Sequence, residues 1–484
     1  MTAALAGGTA LRLSHIGAVG FNSDEAVYAG QAAALAGNPL YTHMFPVFRA
    51  HPLLFQSLLA PFFRHGTVDV AGRVVAVTLG MVTVLLCYLV AARLFGRRTA
   101  VIAACILALM PYHVVVSRQV LLDGPAALLA TLTLLLFVRY LESRQIKWMV
   151  ATGAIFGLAL LAKETNVLFL GAMYATLALL PNFRRVVPAA IGATVAAVLV
   201  FSIYPLALAL GGHEKTGRNY LVWQLSRQAN HSFWFYEEQL PWALGPLVLV
   251  VAVGGLYLLR RRLGWRELTL VSWILVPLAA LQIWPVKGYQ YLLPVAPAIA
   301  ILAASMLDRV PDLLRQLAPS RRSMLRVAAV VAVLLSIGIP SLNRVQAGAS
   351  NTFLAGSGGL PGGRAAGQWL GAHVPKGAVL LTIGPTMANV LEYYGHRDAY
   401  ALSISPNPLH RNPSYTAVPN PDLALRDVDI QYVVWDAYSA ARSHHFSTRL
   451  LALARRYHGR VVHTEYAGSG SSRTAVIVIY EVRP

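Results

Sequence analysis

Five short polar clusters interrupt a sequence that is otherwise largely apolar. Ser23-Asp24-Glu25 is followed by Tyr28, and later by Arg49-Ala50-His51-Pro52. Arg118 precedes Asp123 in the next cluster, Lys163 and Glu164 are adjacent, and Lys287, Tyr289 and Tyr291 alternate along the last. By type, these residues offer carboxylates that accept protons and cations that hold anions. Taken singly, each has an ordinary structural reading. Asp24 or Glu25 can cap the helix that follows. Lys163 and Lys287 can be helix-end charges at a membrane surface, and His51 can be an interfacial packing residue. Ionisable groups at membrane depth are costly, however. If all five clusters share one side of a membrane, a functional account is needed.

The elements that would position them are apolar spans. Of the 484 residues, 56% are hydrophobic and only 12% are charged, against about 45–50% and 25% in a soluble domain. This excludes a single soluble enzyme, a disordered chain and a coiled coil. About 20 apolar residues cross a bilayer as a helix. Ten runs qualify: Val70–Leu94, Thr99–Val116, Pro125–Tyr140, Trp148–Leu161, Val167–Pro181, Val186–Leu210, Leu240–Leu259, Leu268–Trp284, Tyr291–Leu307 and Leu325–Leu342. The first 20 residues, interrupted by Arg12 and His15, offer part of an eleventh. Cys87 and Cys105 both lie inside apolar runs, so they read as small core residues and imply no disulfide.

The net charge of +20 would suggest nucleic acid in a soluble protein, but here position matters more than sum. Seventeen basic residues fall in alternate loops, from Arg93 and Arg97 through Arg139 and Arg260 to Arg322 and Arg326. The positive-inside rule places those loops in the cytoplasm. The 21–68 loop and the turns holding Arg118, Asp123, Lys163, Glu164 and Lys287 then lie outside together. So does the Gly211–Gln239 loop, whose aromatic run Phe233–Tyr236 reads as an interfacial belt or a lid. No nucleic-acid partner is expected.

Residues 1–345 thus form a membrane domain, 346–363 a flexible joint ending in Gly356–Gly363, and 364–484 an extracytoplasmic α/β domain. In the last, helices are expected at Arg364–His373, Met387–Tyr394 and Ser443–Tyr457. Strands are expected at Ala378–Ile383, Ala399–Ile404, Gln431–Trp435, Arg460–Glu465 and Thr474–Glu481, with Gly468–Ser472 as a hairpin turn.

Several of these segments are familiar. The acidic pair in a long first outer loop (Asp24-Glu25), the later His51-Pro52-Leu53, Leu121-Leu122-Asp123, and Lys287-Gly-Tyr-Gln-Tyr291-Leu-Leu-Pro294 resemble, in order and sidedness, motifs of the GT-C class of membrane glycosyltransferases. The protein O-mannosyltransferases and the lipid A aminoarabinose transferases are the nearest branches, and the resemblance spans Phe21–Arg344. The pattern departs from those branches where His-Pro-Pro has become His-Pro-Leu and where the first helix is degenerate. The resemblance implies a polytopic α-helical fold of about ten or eleven transmembrane helices in a prokaryotic plasma membrane. It further implies an inverting hexosyl- or pentosyltransferase that moves sugar from a polyprenyl-phosphate donor to an acceptor hydroxyl on a glycan, lipid or protein.

Such a displacement needs a base for the acceptor hydroxyl and positive charge for the departing phosphate. Asp24 is the expected base, with Glu25 and Asp123 as the other candidate catalytic acids. Arg118, Lys163, Lys287 and His51 are the expected phosphate partners, and Tyr28, Arg49, Glu164, Tyr289 and Tyr291 the expected lining. No cofactor is certain; a divalent metal is an open alternative, because one His and scattered acids define no coordination set. The competing function is a transporter or flippase of a lipid-linked substrate, which would show internal repeats and charges near the midplane. Neither is seen here. The orientation is testable by labelling: in a background lacking Cys87 and Cys105, a cysteine at Ser439 is expected to react with an impermeant thiol reagent from outside the cell. Reaction only from the cytoplasmic side would overturn the topology.

Overall fold

A computed structural model describes residues 1–48, 51–64, 68–181, 183–262, 264–309, 316, 318–346, 359–468 and 472–483. Arg49, most of the expected joint and the tip of the expected Gly468–Ser472 turn lie outside the described residues. Among the described residues, six helices are long and apolar enough to cross a membrane: Asp69–Phe95, Asp123–Ser143, Arg184–Leu210, Trp265–Ile283, Tyr289–Arg309 and Pro319–Gln346. A seventh span is reached if Phe235–Leu244 and Pro246–Leu258, bent by 99°, count as one. Each of the other three expected spans is also helical, but short or broken. Thr99–Val116 is divided into Arg97–Leu109 and Pro111–Val116, because Pro111 has no N–H to continue the ladder. Ile146–Ala162 has 17 residues, and Leu168–Ala178 has 11 behind a 3₁₀ turn.

Small residues set one helix contact at van der Waals distance. A Cβ on Gly153 would lie 2.0 Å from the carbonyl oxygen of Ala193, and one on Gly157 would lie 2.7 Å from that of Ala197. This is a small-xxx-small crossing, the usual means of close approach between helices in lipid. The Arg-rich loops meet at one end of the bundle. There Arg93 pairs with Glu142 at 2.8 Å, Arg326 and Arg98 reach Asp308 at 3.3 and 3.5 Å, and Arg309 pairs with Glu267.

At the opposite end, helix α1 (Thr2–Leu13) and helix α2 (Ser23–Leu35) pack near the turn that holds Arg118. Helix α1 has twelve residues. Its fully buried Arg12 ties it down, donating to Ser117 Oγ at 2.8 Å, the Gly8 and Ala108 carbonyls, and His113 Nδ1 at 2.7 Å. A second buried cation, Arg73, fixes α2. Its guanidinium binds Glu25 through two hydrogen bonds of 2.9 and 2.8 Å and also donates to the carbonyls of Ile16, Val19 and Gly20.

The C-terminal part is an α/β unit close to expectation. Its mixed sheet has the order β2-β1-β3-β5-β4, with β1 Leu380–Thr382, β2 Ala399–Ala401, β3 Tyr432–Asp436, β4 Arg460–Ala467 and β5 Thr474–Glu481. β1 runs parallel to β2 and β3, while β5 runs antiparallel to β3 and β4. Its Pro385–Gly395 helix docks on that same end of the bundle. Tyr394 donates to Asp69 at 2.5 Å and accepts from Phe21 N–H at 2.7 Å, and Arg364 pairs with Asp69 at 3.3 Å.

The two classes of ion pair predict different stabilities. Arg73 and Glu25 are 6% and 0% exposed, whereas Arg93 and Glu142 are 37% and 30% exposed. Arg73→Met should therefore destabilise the detergent-purified protein by about 3–5 kcal/mol, because it strands a buried carboxylate. Arg93→Met should cost about 0–1 kcal/mol. Thermal melting of the two variants checks this; equal shifts would contradict it.

Candidate functional site

The first turn of α2 separates its two acids. Asn22 caps the helix, accepting from the Asp24 and Glu25 N–H groups, and Glu25 reaches back to the Asn22 N–H at 3.2 Å. Glu25 also accepts from Val120 N–H at 3.0 Å. With Arg73 on both oxygens, this carboxylate has no position left for a substrate. It was an expected catalytic acid; the structure gives it a holding role. Adjacent helix positions point about 100° apart, and Asp24 faces a different set of groups. Its carboxylate has no hydrogen-bond partner among the described residues and feels Lys163, Asp123 and His51 electrostatically. Burial, and to a smaller degree Asp123, hold its pKa above the ordinary aspartate range against the lowering pull of Lys163 and His51.

Three other elements complete the cluster. Asp123 is the first residue of its helix, where the helix dipole favours a carboxylate. Lys163 caps the Ile146–Ala162 helix in an extended conformation. Its ammonium donates to Asp123 Oδ1 at 2.7 Å and lies 4.6 Å from the centre of the Tyr291 ring. Burial alone would lower the pKa of Lys163, but Asp123 and Tyr291 together hold it above the usual value. His51 Nδ1 lies 2.8 Å from Glu164 Oε1, and its Nε2 lies 3.1 Å from the Tyr220 hydroxyl. With Nδ1 donating to the carboxylate, Nε2 accepts from Tyr220, whose oxygen in turn accepts from Gln224. Although burial opposes it, His51 holds Glu164 below the ordinary carboxylate range. Tyr28 lies edge-on to His51, ring centres 6.2 Å apart.

The structure thus brings together Asp24, Asp123, Lys163, His51, Glu164, Tyr28 and Tyr291. Three expected residues stand apart. Lys287 is buried, and its ammonium donates to the carbonyls of Gln282, Trp284 and Leu281 at 2.7, 3.1 and 3.4 Å, closing the end of the Trp265–Ile283 helix. Arg118 donates to the Ser14 carbonyl at 2.5 Å, beside Arg73 rather than Lys163; burial and that neighbouring cation lower its pKa to about 10. Tyr289 stacks edge-on to Tyr112 at 4.8 Å and accepts from Arg344.

Sequence reasoning assigned no site role to Tyr220, Gln224 and Arg227 of the Glu214–Arg227 stretch, which held the loop only as a belt or lid. Tyr220 and Gln224 fall one helical turn apart on the face turned to His51, and Arg227 donates to Gln224 Oε1 at 3.2 Å. Arg227 has no carboxylate partner among the described residues. Beneath this helix runs an apolar cavity of about 460 Å³, lined by Leu160, Leu168, Leu221, Leu225 and Trp284. It shares Glu164, Tyr220 and Tyr291 with the polar cluster. A long apolar chain with an anionic head fits this pairing of groove and cations. Among the described residues, no three His, Cys, Asp or Glu side chains are grouped to hold a metal ion.

Residues 50–207 match the family model described as dolichyl-phosphate-mannose-protein mannosyltransferase. Comparison with curated proteins gives no match. Two solved structures of ArnT from Cupriavidus metallidurans are similar over nearly the whole chain. The apo form is 15% identical with a TM-score of 0.69, and the form bound to undecaprenyl phosphate is 16% identical with a TM-score of 0.68. Both cover 99% of this chain and 97% of the other. The Archaeoglobus fulgidus oligosaccharyltransferase, solved with Zn and sulfate, is 15% identical with a TM-score of 0.62, covering 98% of this chain and 73% of that one. The chain has the GT-C fold, as its motif order implied.

The Lys163–Asp123 pair is 8% and 4% exposed, so its halves should depend on each other. Lys163→Met is expected to cost about 3–5 kcal/mol of stability, and adding Asp123→Asn should recover most of it. Denaturation midpoints of the single and double variants measure the coupling. A double variant no more stable than Lys163→Met would show that the two groups act independently.

Proposed function

We propose that this GT-C chain is an inverting glycosyltransferase that moves a sugar from a polyprenyl-phosphate carrier to an acceptor hydroxyl on the outer face of the membrane. The observation that carries the reading is the Asp24 carboxylate, without a hydrogen-bond partner among the described residues, beside the Lys163–Asp123 pair at the polar end of an apolar groove. The binding of undecaprenyl phosphate by the similarly folded ArnT supports a donor of that type. The polyprenyl chain lies in the groove. Its phosphate meets Lys163 and Arg227, the latter able to contact two oxygens at once, while His51, committed to Glu164 and Tyr220, orders the wall beside them. Lys287 and Arg118 hold backbone carbonyls instead.

In a single displacement, the acceptor oxygen forms a bond to the anomeric carbon as the bond from that carbon to the phosphate oxygen breaks. Asp24 takes the hydroxyl proton, and polyprenyl phosphate leaves with the electron pair, its charge met by Lys163. Asp123 keeps the ammonium aimed at the leaving group. Attack from the face opposite the phosphate inverts the anomeric configuration. The reading places the site and the α/β unit outside a prokaryotic plasma membrane, following the positive-inside assignment.

Asp24→Asn preserves shape but removes basicity. It should lower kcat by about 10²–10⁴-fold while leaving the apparent donor KM and the melting temperature near wild type. Because burial raises the Asp24 pKa and a base works only when deprotonated, kcat should fall on acidification at a pH above the ordinary aspartate range. Near-full turnover by Asp24→Asn would place the base elsewhere.

A further inference from the structure

A second cavity lies where the first outer loop meets the α/β unit. It measures about 180 Å³, small beside the roughly 300–1,000 Å³ of a typical ligand pocket, and gives room for one ring rather than a chain. Its wall combines His43, Asn389, Asp398, Tyr400, Tyr415 and Thr416, over an apolar floor of Met44 and Pro46. Carboxylate and carbonyl oxygens accept, the amide donates, and the hydroxyls of tyrosine and threonine do both. That mixture matches a polyol, whose every hydroxyl also donates and accepts. The apolar floor matches the C–H face of a sugar ring.

The cavity is also wired to the proposed base. The Asn389 side-chain amide donates to Tyr415 at 3.2 Å and to Ser23 Oγ at 2.9 Å. Ser23 directly precedes Asp24 in the first turn of α2. His43, from the loop, approaches Asp398, from the α/β unit, at 3.4 Å, so both parts of the chain build the wall.

We propose that this cavity is the acceptor subsite, and that it binds one sugar unit of a glycan acceptor next to the unit whose hydroxyl reaches Asp24. The inference rests on the transferase reading above and names its acceptor class. It assigns the α/β unit a part in substrate choice: Tyr400, Tyr415 and Asp398 read the acceptor, and Asn389 links the filled subsite to the helix that carries the base.

The test is saturation-transfer NMR on the full-length protein in nanodiscs, with methyl mannoside, methyl glucosaminide, methyl arabinofuranoside and a Ser/Thr-rich peptide as probes. Turnover of polyprenyl-phosphate sugars is measured on the same preparations. Two variants are compared with wild type: Thr416→Trp, which fills the cavity from an exposed position, and Asp398→Asn, which removes one charge with little change of shape. Wild type should bind at least one glycoside, and both variants should weaken that binding by about tenfold or more, the effect of losing roughly 1.4 kcal/mol of contact. If Thr416→Trp lowers the melting temperature, Asp398→Asn alone decides. Glycoside binding equal in wild type and Asp398→Asn would overturn the proposal, as would binding of the peptide alone. Donor turnover without glycoside binding would overturn the subsite and leave the transferase reading standing; no turnover of any donor would count against the transferase reading itself.

Discussion

The Glu25–Arg73 ion pair holds the end of the bundle opposite the Arg-rich loops in register. One guanidinium gathers the carbonyls of Ile16, Val19 and Gly20 while binding both oxygens of Glu25. The same carboxylate accepts from Val120 N–H, three residues before Asp123. Burying two charges is expensive, and only a fully hydrogen-bonded arrangement offsets the desolvation. Here the guanidinium makes five hydrogen bonds and the carboxylate is saturated, so the arrangement tolerates little sliding. The loop after α1, the start of α2, the Asp69–Phe95 helix and the turn before Asp123 are therefore locked together. Asp24 and Asp123 inherit their relative placement from that lock.

Around it, the site divides by polarity. On one side, Lys163, Asp123, His51, Glu164 and Tyr220 form hydrogen-bonded pairs that hold charge at the edge of the bundle. On the other, the apolar cavity under the Glu214–Ser226 helix has leucine and tryptophan walls. A lipid-borne donor needs both, since its chain gains by leaving water and its phosphate gains by meeting cations. The helix that roofs the groove also carries Tyr220, Gln224 and Arg227 to the polar end. One element thus borders both the apolar groove and the polar cluster.

Much of this was legible in one dimension. Among the described residues, hydropathy located the six helices long and apolar enough to cross a membrane, because long apolar runs need no tertiary information. The ion pairs joining Arg93 to Glu142 and Arg98 to Asp308 bring three of the basic loops to one end. Asp24, His51, Asp123, Lys163 and Tyr291 come together at the other end, but sharing an end does not set direction around the bundle. Lys287 and Tyr289 turn toward helix carbonyls and Tyr112 instead. Glu25 and Asp24 are inseparable by composition and are separated by one helical step. Tyr220 and Arg227 escaped because an amphipathic surface helix does not announce which neighbour it will face. The close crossing of Gly153 and Gly157 on Ala193 and Ala197 was hidden for a similar reason: hydropathy does not distinguish a lipid-facing run from a packed one. The α/β unit was read well element by element, since its strands and helices alternate between short turn signals, but its docking on Asp69 and Phe21 depends on contacts hundreds of residues apart.

The central claim is that a lipid-linked sugar phosphate is the donor. It is tested most directly by incubating the purified wild-type protein with a panel of polyprenyl-phosphate sugars and measuring released polyprenyl phosphate, alongside the matching nucleotide sugars without lipid. The account predicts release from at least one lipid-linked donor and none of comparable rate from a soluble one. Equal transfer from a soluble nucleotide sugar with the polyprenyl chain absent would contradict it.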